Sequence, residues 1–208
     1  MPSLAAARAS NATFHPSYVP VGVFVGGTSG VGEAMVKAIA SHLGGNIHLI
    51  IVGRNRSAAE KTFASIPRPT GEDGKPVRRD FIYCDAFLMR NIKATCVELS
   101  ERLTKVNFLV LSAGYFEVTS RKETEEGLDK MLVMRYYNRF KFTLELLPLL
   151  KNARALGEEA NVMSILGPAL FTIKVNIDDL DMKKSYGSIR AGIVTGVYND
   201  IMVEVSNT

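Results

Sequence analysis

Three side chains in the second half of the chain, Ser164, Tyr186 and Arg190, have the types needed to move a proton at a substrate oxygen. A free phenol titrates at about pH 10, and a fixed cation nearby lowers that value by favouring the phenolate. Arg190 stands four residues beyond Tyr186, which is the same face if both lie on one helix. Such a phenol can give or take a proton at neutral pH, with Ser164 orienting and polarising the same oxygen. Two of them also have a plainer reading: Ser164 as a turn hydroxyl, Tyr186 as amphipathic packing.

A second constellation lies near the start, Gly26-Gly27-Thr28-Ser29-Gly30-Val31-Gly32. The apolar, β-branched run Val21–Val25 ahead of it reads as a buried parallel strand. Behind it Met35, Val36, Ile39, Ala40 and Leu43 recur at helical spacing. Strand, glycine turn and helix aim unpaired N–H groups and the positive end of a helix dipole at one point, which suits a pyrophosphate. Gly26, Thr28, Ser29, Gly30, Val31 and Gly32 are therefore candidate ligands of a dinucleotide, whose nicotinamide would carry hydride while Tyr186 carries the proton.

Those groups need a frame. Strands are expected at 47–52, 81–84, 106–111 and 161–165 after the first at 21–25, with helices at 33–43, 57–66, 88–103, 124–150 and 187–205 between and beyond them. Ser57 is the expected cap of the second helix. Pro67–Pro76 reads as a polar surface loop, and Pro16 and Pro20 argue against regular structure in an N-terminal arm, residues 1–19, ahead of one domain over 20–208. Alternating strands and helices mean an α/β fold, a doubly wound parallel sheet in three αβα layers. Ligands bind such sheets at the carboxyl ends of the strands.

Nearly every candidate falls on that edge: the glycine turn, Arg54 and Asn55, Asp85 and Ala86, Ala113 and Gly114, and Ser164. An NAD site places an acid after the second strand to hold the ribose 2′-hydroxyl. Arg54 stands there instead, and its paired donors suit a 2′-phosphate, so NADP(H) is expected ahead of NAD, against the plain alternative of a solvated arginine. Asp85 either bonds the adenine amino group or caps a turn.

Composition sets the outer bounds. The 208 residues are 47% hydrophobic, enough for a sizeable core, and 25 basic against 21 acidic residues leave a mild +4 with no dense basic run. A nucleic-acid partner is not expected. Cys84 and Cys96 have no metal-ligand spacing and read as buried thiols, so no metal is expected. No uninterrupted apolar run reaches a membrane span and no signal segment is evident, so a cytoplasmic protein without a membrane partner is expected.

With these residues assembled, the chain resembles the short-chain dehydrogenase/reductase family, more narrowly its fungal NAD(P)-binding members, from about Ser17 to Val205. Val25-Gly26-Gly27-Thr28-Ser29-Gly30-Val31-Gly32 matches the family's Thr-Gly-x-x-x-Gly-x-Gly with Val25 for threonine. Asp85 matches the adenine-pocket aspartate, Ser112-Ala113-Gly114 the end of Asn-Asn-Ala-Gly, Ser164 the catalytic serine and Tyr186 the catalytic tyrosine. Tyr186-Gly187-Ser188-Ile189-Arg190 has arginine where the family motif has lysine. Arg135 falls where the family's helix asparagine stands. The 22-residue gap between Ser164 and Tyr186 makes Gly167–Lys184 an added loop. The resemblance implies a Rossmann fold lacking the family's last strands, and a possible homodimer. It also implies hydride transfer between a small-molecule carbonyl and alcohol with Tyr186 as acid/base. The alternatives are a dinucleotide-binding protein without turnover and a flavin-binding domain.

Overall fold

The computed structural model describes residues 3–69, 77–166 and 173–206. Among them, five strands form one parallel sheet in the order β3-β2-β1-β4-β5: β1 (Val21–Val25), β2 (His48–Gly53), β3 (Arg79–Tyr83), β4 (Phe108–Leu111) and β5 (Asn161–Ser164). The order reverses between β1 and β4, which opens a crevice at their carboxyl ends. In register, Val25 lies beside Val52 and Leu111, and Leu111 beside Ser164. One level end of the sheet thus carries the expected site residues.

Side chains of β1 alternate between two cores, as a strand period of two requires. Val21, Val23 and Val25 join Leu109 and Leu111 against Ile92, Cys96 and Leu99 of α4 (Met89–Arg102) and Phe142, Leu146 and Leu149 of α6 (Asn138–Ala155). Phe24, Leu49, Ile51 and Val110 face the other way, onto Val36 and Ala40 of α2 (Gly30–His42) and Ala59 of α3 (Arg56–Ala64). Strands β1, β2 and β4 are covered on both faces, and the doubly wound α/β expectation stands. Both thiols are free and buried, and burial pushes Cys96 up to about 12.

Several boundaries differ from the sequence reading. The arm is not irregular: α1 (Leu4–Ala12) is helical, capped by Ser3, whose side chain accepts from Ala6 N. Its run of alanines has high helix propensity, and both prolines lie beyond its end. The cap of α3 is Asn55, not Ser57; its side chain accepts from Ala58 N at 3.0 Å. The long helix begins at α5 (Lys130–Leu132) rather than near Thr124, because Asp129 Oδ1 accepts from Met131 N and Leu132 N. It continues through a π-helical stretch, Val133–Tyr137, into α6. Helix α7 (Ser188–Ser206) packs on α5, with Ala191 and Val194 against Met131 and Leu132. The expected loops at 67–76 and 167–184 lie partly outside the described residues. Among those residues no helix is long and apolar enough to cross a membrane.

Candidate functional site

The glycine turn is fitted to the end of β4. Gly26 N donates to Val52 O, while Ser112 N and Ala113 N both donate to Val25 O, each at 2.9 Å. With φ at +93°, a Cβ on Gly26 would lie 2.5 Å from Ala113 N. One on Gly32 would lie 2.2 Å from Ser112 Oγ. Both positions need glycine for the turn to sit flush. The opposite face is open: a Cβ on Gly30 would meet nothing within 4 Å among the described residues, and Val31 is 58% exposed. Ser29 makes no side-chain cap, so the first N–H groups of the 13-residue helix α2 face outward, unclaimed by a cap. This cradle has the shape and polarity to receive phosphate.

At the neighbouring strand ends the residues divide. Arg54 is exposed, its guanidinium carbon 5.7 Å from the ring centre of Phe87. Phe87 in turn meets Tyr115 edge-on at 5.3 Å. Asn55 spends its side chain on capping α3. Asp85 Oδ1 accepts from Phe87 N at 3.2 Å, so this carboxylate does cap a turn, and Ala86 beside it is buried. Ala113 and Gly114 lead from the cradle into Tyr115.

Ser164 ends β5, and its Oγ is buried without a hydrogen-bond partner among the described residues. Tyr186 lies before α7 in a tight cluster with Tyr115, Glu117, Lys122, Asp129 and Met131, which leaves no room for a water molecule; Ser164 is not part of it. The expected pairing of Tyr186 with Arg190 is corrected. Tyr186 is outside the helix, so a spacing of four does not align the two. Its phenol is raised, not lowered, by burial and then by Asp129, with Arg121 acting against them. Arg190's charge acts on Tyr198 instead, and its Nε is buried without a hydrogen-bond partner among the described residues.

The loop before Tyr186 is fixed by Asp179, which accepts from Lys183 N at 2.8 Å, Ser185 N at 2.9 Å and Ser185 Oγ at 2.8 Å. Burial pushes this carboxyl up, but the donated bonds from Ser185, Lys184 and Lys183 together hold it below the ordinary range.

Arg135, centred in the π-helical stretch, turns toward α7: Nε donates to Thr195 Oγ1 at 3.1 Å, and Asn199 Nδ2 donates to its carbonyl at 2.8 Å. The residue that reaches the strand ends is one the sequence reading passed over. Arg139 donates to Ala113 O at 3.0 Å and to Ile165 O at 2.8 Å. Its signal was a cation at helical spacing with the apolar residues 142, 146 and 149. Among the described residues no three His, Cys, Asp or Glu side chains gather to hold a metal ion.

Comparison with known proteins fits this geometry. The sequence model of the short chain dehydrogenase family matches residues 21–174. An oxidoreductase of Emericella variicolor, andH, is 38% identical over 88% of this chain and 52% of its own length. Human polyprenol dehydrogenase is 30% identical over 83% of this chain and 50% of its own. The chain thus spans about half the length of these relatives. In shape it resembles Pseudomonas aeruginosa RhlG, solved in complex with NADP, with a TM-score of 0.64 at 16% identity over 90% of this chain and 67% of that one. The chain belongs to the short-chain dehydrogenase family.

Proposed function

We propose that the chain binds NADP(H) and serves an oxidoreductase that interconverts a small carbonyl compound and its alcohol. The observation that carries this reading is the cradle: glycines 26 and 32 pressed against Ser112 and Ala113, with the first turn of α2 open on the other side. Oriented over Phe87 at the end of β2, Arg54 offers paired donors to a 2′-phosphate. Asp85 and Ala86 flank the adenosine end; Ala113 and Gly114 lie toward the nicotinamide end. When bound, the nicotinamide supplies or accepts hydride. Tyr186 gives its hydroxyl proton to the substrate oxygen during reduction, and Ser164, which lies outside the Tyr186 cluster, donates to the same oxygen once a bound substrate bridges the two. The activity of relatives named oxidoreductase and dehydrogenase supports the class.

The test is thermal. A ligand bound by the folded state alone raises the melting temperature by mass action. NADPH should raise it more than NADH, and Arg54→Ala should erase the difference. Equal shifts in the parent would remove Arg54 from this role, and no shift with either dinucleotide would end the reading. A second reading, nucleotide binding without turnover, is favoured by one observation: the charge of Arg190 is not directed at the Tyr186 phenol. NADPH oxidation across a panel of aldehydes and ketones separates the two, and Tyr186→Phe should lower any rate by about a hundredfold.

A further inference from the structure

Arg139 is 2% exposed, on the face of α6 that also buries Phe142, Leu146 and Leu149. Its planar head bonds two carbonyls at once, Ala113 O past the end of β4 and Ile165 O past the end of β5. No carboxylate forms an ion pair with it among the described residues, and its Nε is buried without a partner. Burial and the like charge of Arg135 lower its affinity for its proton, to a pKa of about 10. A buried cation without a counter-charge is a poor way to gain stability, since an apolar side chain of similar volume avoids the desolvation cost. What a guanidinium offers that an apolar chain does not is a rigid fork between two fixed acceptors.

The two carbonyls are well placed for that fork to matter. Ala113 N is the atom that Gly26 presses against in the cradle, and Ile165 follows Ser164 directly. In the order β3-β2-β1-β4-β5, both lie on the far side of β1 from Arg54 and Asp85. We propose that Arg139 is a positioning residue for the nicotinamide half of the dinucleotide, tying the ends of β4 and β5 so that Ala113 and Ser164 stand at a fixed separation. This rests on the reading of the cradle as a dinucleotide site. The adenosine half, held at the β2 and β3 ends, does not depend on the tie.

The experiment uses the purified chain and two probes, NADPH and adenosine 2′,5′-bisphosphate, titrated by calorimetry into the parent and Arg139→Lys. Lysine keeps the charge but cannot span both carbonyls, so NADPH affinity should fall about tenfold, the loss of one charge-assisted bond, while the bisphosphate binds as before. Hydrogen exchange at the Ile165 amide, which donates to Leu111 O at 2.9 Å, should quicken in the same variant without ligand. Unchanged NADPH affinity overturns the proposal, as does an equal loss for both probes, which marks a merely structural role. If the parent binds neither probe, the dinucleotide reading fails and the positioning role with it. The exchange at Ile165 then still decides whether the tie exists.

Discussion

Tyr186 keeps its proton well past neutrality because its ring is partly withdrawn from water and Asp129 adds negative potential, with Arg121 pulling the other way and Glu117 adding to the rise. A phenol so placed suits donation. Under the proposed role, reduction of a carbonyl would draw on the abundant protonated form, so its rate should be flat between about pH 6 and 9, whereas oxidation of the alcohol would draw on scarce phenolate and should climb about tenfold per pH unit there. Asp129 is 1% exposed, with Oδ1 committed to the start of α5 and Oδ2 unpartnered among the described residues. Asp129→Asn keeps the cap and removes the charge. The phenol pKa then falls, and alcohol oxidation at pH 8 should rise severalfold while reduction at pH 7 holds. Superimposable pH profiles for parent and variant would strip Asp129 of influence on Tyr186. Sequence spacing pairs Tyr186 with Arg190, and the fold gives the phenol other charged neighbours. Gly187 separates Tyr186 from a helix that begins at Ser188, and Asp129 is brought in from a distant segment by folding alone.

At the level of elements, the strands and most helices were legible because their apolar residues repeat at two or at 3.6 positions and end in glycine or in capping groups. The segment from 173 to 187, with its short 3-10 turn at Ile177–Asp179, has no such pattern; Tyr137 and Tyr198 anchor its middle at Asp181 and Leu180, and one carboxylate orders its end. Asp179 gathers the amides of Lys183, Lys184 and Ser185 and so hands Tyr186 to the start of α7. Asp179→Ala should free that stretch, and trypsin should then cut after the exposed Lys183 or Lys184 about tenfold faster than in the parent. Equal cutting would mean that the loop is held by something else. The pH sense follows from the depressed carboxyl. Its contribution is complete above the ordinary carboxylate range and is lost as pH falls through its lower folded value, so acid should loosen the parent loop as the substitution does. The start of α5 was misplaced for a related reason: Thr124–Leu128 carries helical composition, but Thr124 N donates to Leu128 O across a turn with Gly127 at φ +73°.

Across the whole molecule the two edges of the sheet are treated differently. Along β3, Arg79 and Asp80 put charge on the edge; Arg102 pairs with Asp80 at 2.9 Å, and the Arg79 guanidinium donates to Phe63 O at 3.0 Å. Charged and occupied, this edge resists pairing with another chain. On the other side β5 reads Asn161-Val162-Met163-Ser164, without a charge, and Val162 and Met163 are 42% and 49% exposed. Its inner side is hydrogen-bonded to β4, and its outer side pairs with no strand among the described residues. Open amides beside exposed apolar side chains are a template for strand addition, so the isolated chain should associate through β5 as its concentration rises. Met163→Lys places a charge on that edge without touching the core. Sedimentation velocity should then report a smaller concentration-dependent increase in mass, with the melting temperature nearly unchanged, as for a surface substitution worth within about 0.5 kcal/mol. An unchanged association profile would place the contact elsewhere, on the exposed flank of α6 at Phe140 and Leu144, where Leu144→Lys offers the matching test.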